Sequence, residues 1–225
     1  MRKTFETEIR KLKDELLLLG SMVEQQITGS VEALKKRDVE GSHRIQKIDL
    51  QVNTMRYTIE EQVMVAIATQ QPMAHDLRLL ASILEVSGEL ERMGDYAKGI
   101  ATINIRMGDQ PLLKPLVDIP RMAQIGADML HRSLTAFIAE DAAAARLIPQ
   151  EDDKVDELYT QIYHELMMFV IQDPKTIERA NWLLWVAHNL ERVSDRVTNI
   201  CERTVFVVTG EIKELQTTSS PKEMK

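Results

Sequence analysis

The strongest constraint on how this chain folds is that it repeats itself. Residues 83–107 and 183–207 align at an offset of 100 with Leu84/Leu184, Val86/Val186, Leu90/Leu190, Glu91/Glu191, Arg92/Arg192, Asp95/Asp195 and Ile100/Ile200 identical. Upstream the offset becomes 103 and pairs Ser30/Ser133, Ala33/Ala136, Asp38/Asp141, Ile45/Ile148, Asp49/Asp152 and Val52/Val155. The shift falls at the turns around Pro72 and Pro174, where a loop absorbs inserted residues. Self-similarity over such lengths marks a duplicated supersecondary unit, so both halves must fold alike.

Each unit is helical. Strong helix breakers are confined to Pro72, the run GDQPLLKPLVDIP at 108–120, Pro149, Pro174 and the tail TTSSPKEMK. They delimit six long helices, at about 5–37, 39–70, 73–107, 119–140, 142–172 and 175–209. Aromatic residues make up only 4% of the chain, and the usage is rich in Leu, Ala, Met and Glu. The expected fold is all-α: two tandem antiparallel three-helix bundles at 1–107 and 117–212, a linker at 108–116 and a polar tail at 213–225.

The third helix of each unit keeps an apolar seam at 83, 86, 90, 93, 97 and 100, and again at 183, 186, 190, 193, 197 and 200. On that heptad frame Glu91, Arg92 and Asp95 face away from the core, and so do Glu191, Arg192 and Asp195. Glu91 and Asp95 are one turn apart, with Arg92 expected to orient Asp95, and Arg192 to orient Asp195. A lone trio of this kind is a solvated salt bridge contributing a few tenths of a kcal/mol. Its return in both halves, while Tyr96 aligns with Arg196, Lys98 with Thr198 and Glu89 with Asn189, marks a shared task.

A second carboxylate pair lies on each middle helix: Asp152 and Asp156 in the second half, Asp49 and Asn53 at the matching positions of the first. Antiparallel neighbours bring the two pairs of each half to one patch. Oxygen ligands from facing helices suit Mg²⁺, Mn²⁺ or iron. Gly88, Gly94 and Gly99 sit inside the same helix at a cost of about 1 kcal/mol each relative to alanine, which implies close approach of a neighbour or simple drift.

Other classes are disfavoured. A net charge of −7 opposes non-specific nucleic-acid binding. The single Cys201 cannot form an internal disulfide, the N-terminal segment lacks a signal-peptide apolar core, and no stretch approaches the roughly 20 apolar residues of a membrane span. A cytoplasmic protein is expected. A di-metal oxidase needs Glu-x-x-His pairs on a core seam, and the five histidines, His43, His75, His131, His164 and His188, are scattered. A histidine phosphotransfer module or a metal-storage bundle is the alternative.

The motifs QQPMAHDLRLL (70–80), ELERMGDYAKGIA (89–101), EDDKVDELY (151–159), QDPKTIERANWLLWVAHNLERVSDRVTNICE (172–202) and TGEI (209–212) resemble the PhoU family over about residues 5–212. The resemblance implies a non-enzymatic regulator that links a phosphate-specific ABC transporter, through its ATPase subunit, to a sensor histidine kinase and restrains uptake and the starvation response. It implies a homodimer that meets the membrane only through those partners. Some members carry metal clusters on E/D-x-x-x-D pairs. In this chain the matching sets are Asp49, Asn53, Glu91 and Asp95, and Asp152, Asp156, Glu191 and Asp195. Asn53 removes one anionic ligand from the first set, and Arg196, where the family often has His, adds positive charge beside the second.

Overall fold

The computed structural model describes residues 2–215; Met1 and residues 216–225, which include most of the expected polar tail, lie outside the described residues. Helices α1 (Arg2–Lys36), α2 (Val39–Gln70) and α3 (His75–Met107) pack against one another as the first bundle. The second is built from α4 (Asp118–Ala139), the short α5 (Ala142–Leu147), α6 (Asp152–Gln172) and α7 (Ile177–Thr209). No strand occurs among the described residues.

The paired identities explain how each bundle turns its first corner. Arg37 and Glu140 adopt positive φ, 58° and 55°, and end α1 and α4. The next amide, Asp38 or Asp141, then donates back to the carbonyl of Ala33 or Ala136, at 2.8 and 2.9 Å. That closure satisfies carbonyls orphaned by the helix end. The same two aspartates cap the succeeding helices, α2 and α5: Asp38 accepts from the Gly41 amide at 2.8 Å, and Asp141 from those of Ala143 and Ala144 at 3.0 Å. Ser30 and Ser133, both buried, spend their hydroxyls on carbonyls three residues back.

One expectation fails. The single helix over 142–172 is broken into α5, a 3-10 turn at Ile148–Glu151, and α6. Pro149 has no amide hydrogen, and its ring collides with the carbonyl one turn back, so the α-helix stops and restarts. The restart puts Asp152 in the first turn of α6.

The halves are fused by two further contacts, α3 against α7 and α1 against α4, and a continuous apolar core runs through both bundles. Gly20 allows α1 to approach α4 closely: a Cβ there would stand 2.1 Å from Leu134 Cδ1. On α3 and α7 the numbering runs in opposite senses, with Gly99 against Asn189, Arg192 donating to Tyr96, and Glu89 against Asn199. Exchanging the halves at the offset of 100 turns the Gly99–Asn189 contact into the Glu89–Asn199 contact. The repeats are therefore related by an approximate two-fold between these helices. The connection at 108–117 is tied down too, since Leu116 is buried and Arg37 donates to the Gly108 carbonyl and, at 3.0 Å, to that of Gln110.

Candidate functional site: two unequal carboxylate clusters

In each half the middle and third helices bring acidic side chains together; none of the six heptad-placed residues is buried, but Glu91 and Glu191 are less outward than the heptad implies. Arg92 and Asp95 are exposed, whereas Glu91 and Glu191 are half-buried and Asp49 and Asp152 are buried, at 0% and 4% exposure. The seam predicts which residues avoid the core of their own bundle. It does not register that the b and f positions lean over the middle helix.

In the first cluster burial, then the charge of Asp95, and more weakly that of Asp49, push the Glu91 carboxyl above its ordinary value. The cluster's negative charge is partly offset from within. Lys98 Nζ stands 2.8 Å from Asp49 Oδ2 and 3.4 Å from Asp95 Oδ1, and Asn53 Nδ2 is 3.4 Å from Asp49 Oδ2. The hydrogen bond to Asp49 raises the Lys98 ammonium pKa. Arg56 adds a weaker opposing charge to Glu91.

Arg92 does not orient Asp95. Its Nη1 turns back 2.5 Å to Glu89 Oε1, and Glu89 also accepts from Asn199 at 3.2 Å and lies 3.5 Å from Arg196. Arg196 is thereby drawn into the α3–α7 interface, so the positive charge expected beside the second cluster is committed to Glu89 across the two-fold. Arg192 behaves as expected, 3.2 Å from Asp195 Oδ2, and it also donates to Tyr96.

The second cluster holds four carboxylates, Asp152, Asp156, Glu191 and Asp195, and Thr198 replaces the lysine. Burial raises Asp152 to about 7, opposed by a hydrogen bond from Ser194 and reinforced by the charges of Asp156, Asp195 and Glu191. Glu191 is raised by burial and by Asp195. His188 Nδ1 lies 3.1 Å from Glu191 Oε2, and its ring meets Trp185 edge-on at 5.6 Å. Asp152 Oδ1 is buried with no hydrogen-bond partner. An orphaned carboxylate oxygen among three further carboxylates is the donor chemistry of a hard cation. No group of three or more His, Cys, Asp or Glu among the described residues is drawn up as a finished metal site, so any ion would have to gather these side chains.

The glycines of α3 divide. A Cβ on Gly94 would meet Gln26 Oε1 at 2.9 Å and one on Gly99 would meet Asn189 at 3.3 Å, so close approach explains both, whereas Gly88 has open space around it. Cys201 is buried, and its thiol is pushed up to about 12. No helix of the described residues is long and apolar enough to cross a membrane.

Fold and clusters together define a class: a duplicated three-helix-bundle protein with an acidic cluster between the second and third helices of each repeat. The chain belongs to the PhoU family, whose domain matches twice, at residues 16–103 and 119–204. It is 36% identical over 209 residues to a protein of Aquifex aeolicus named phosphate-specific transport system accessory protein PhoU homolog, covering 93% of this chain and 95% of that one. The Escherichia coli phosphate-specific transport system accessory protein PhoU is 34% identical over 207 residues, 92% of this chain and 86% of its own length. Among solved structures, PhoU from Pseudomonas aeruginosa superposes with a TM-score of 0.87 at 32% identity, covering 92% of this chain and 100% of that one. The phosphate transport system regulatory protein PhoU from Streptococcus pneumoniae gives 0.86 at 30% identity, covering 94% and 100%.

Proposed function

We propose that this protein is a non-enzymatic regulator of phosphate homeostasis: a cytoplasmic, dimeric adaptor between the ATPase subunit of a phosphate ABC transporter and a sensor histidine kinase. In phosphate-replete cells it restrains uptake and the starvation response. The observation that carries the reading is full-length similarity, through both repeats, to proteins named as phosphate transport accessories. The second-half cluster serves as a cation-dependent docking patch. Asp152, Asp156, Glu191 and Asp195 would hold Mn²⁺, Mg²⁺ or iron, and the bound cation would relieve their repulsion and offer open positions to a partner's acidic groups.

The test is affinity capture of the tagged full-length protein from solubilised membranes of its own host, with uptake of labelled phosphate measured in a deletion strain. Co-capture of the transporter ATPase and of a histidine kinase, with excess uptake in the deletion strain at high phosphate, is expected. Capture of neither, with unchanged uptake, overturns the proposal. Because attachment runs through protein partners, the purified chain is expected not to float with anionic liposomes.

A further inference from the structure

The two clusters solve the same electrostatic problem differently, and the differences fall at aligned positions. Where the first half has Asn53, Arg56 and Lys98, the second has Asp156, Tyr159 and Thr198. Asp49 has no exposure at all, and an isolated carboxylate there would be strongly disfavoured. Lys98 answers this by placing its ammonium on Asp49 Oδ2 and within 3.4 Å of Asp95 Oδ1, so that one side chain bridges the middle-helix and third-helix carboxylates. Asn53 supplies an N–H to the same Asp49 oxygen. Asp49 Oδ1 keeps a buried lone-pair face without a partner, so the oxygen set that a cation would use survives behind the lysine.

We infer that Lys98 is the resident cation of the first cluster and closes it to divalent metal, leaving the second half as the metal-competent half of the chain. An ammonium at hydrogen-bond distance occupies the position between the two helices that a divalent ion would need, and its positive charge repels such an ion. The second-half part of this inference rests on the proposed cation-dependent patch. The closure of the first half stands on Lys98 and Asn53 alone.

The experiment uses full-length protein carrying E191A/D195A, which removes two carboxylates of the second cluster, with Mn²⁺ as the probe. Binding is read from loss of the free Mn²⁺ electron paramagnetic resonance signal and from the Mn²⁺-induced rise in melting temperature. The E191A/D195A protein is expected to bind no Mn²⁺ with Lys98 in place, and addition of K98T/N53D to it is expected to gain one equivalent. Should the fourfold variant fail to fold, K98T on the E191A/D195A background must show the same gain with its three remaining carboxylates. Saturable Mn²⁺ binding by E191A/D195A itself, or no gain in the folded Lys98 variants, overturns the inference. Wild-type protein that binds no Mn²⁺ while the Lys98 variants do contradicts the patch proposal and leaves the first-half closure supported.

Discussion

At the scale of single residues, Asp152 is the most perturbed group of the acidic clusters. In the folded chain it titrates at about 7, against an ordinary 3.8, because burial and three neighbouring carboxylates penalise its charge. Between those values the folded state holds a proton that the unfolded chain has released, so its contribution to stability falls as pH rises through this window and is flat above it. The full effect is at most about 4 kcal/mol. Asn cannot ionise, so Asp152→Asn is expected to gain on the wild type steadily from about pH 4 to about pH 7 and to hold that gain above it in metal-free buffer, as urea midpoints would show. Parallel pH curves for the two proteins would contradict this. The sequence discloses Asp152 as a candidate through its i, i+4 spacing with Asp156. It gives no account of Lys98, whose mismatch with Thr198 reads as divergence. Its contact with Asp49 spans two helices and depends on their separation, which periodicity does not encode.

At the scale of elements, the α3–α7 crossing depends on a buried glutamate. Glu89 is 8% exposed and receives Arg92, Arg196 and Asn199 at once. Glu89→Ala leaves the Arg92 and Arg196 guanidinium groups and the Asn199 amide without their shared acceptor and is expected to cost about 2–3 kcal/mol, measured by urea denaturation. Glu89→Gln, which can still accept hydrogen bonds, should cost less. A change within about 0.5 kcal/mol for the alanine variant would show the joint to be purely apolar. The helices themselves are legible because breakers and apolar seams act locally, and five of the six expected helices match to within a few residues. The sixth is interrupted at Pro149, where local proline chemistry outweighs the helical pattern on either side. The pairing of Arg92 is not legible, since Asp95 and Glu89 are both three residues away on its own helix and only the docking of α7 favours Glu89.

At the scale of the whole molecule, duplication sets the fold and divergence distinguishes the two clusters. The identities that persist are mostly those a corner or a core requires: Asp38/Asp141 cap helices, Ala33/Ala136 close them, and Val52/Val155 are fully buried. Within the clusters, three of the four acidic positions persist while the fourth and the counter-charges differ, so Lys98 bridges two carboxylates in the first half and no lysine stands at the matching position among the four carboxylates of the second. Repeat alignment reveals the first pattern directly. The second needs the structure, because a counter-charge is defined by distance. The most direct test of the account is capture of the transporter ATPase from solubilised membranes by wild type, E91A/D95A and E191A/D195A, each with Mn²⁺ and with a chelator. The account predicts metal-dependent capture by wild type and E91A/D95A and none by E191A/D195A; equal capture by all three, indifferent to the chelator, would contradict it.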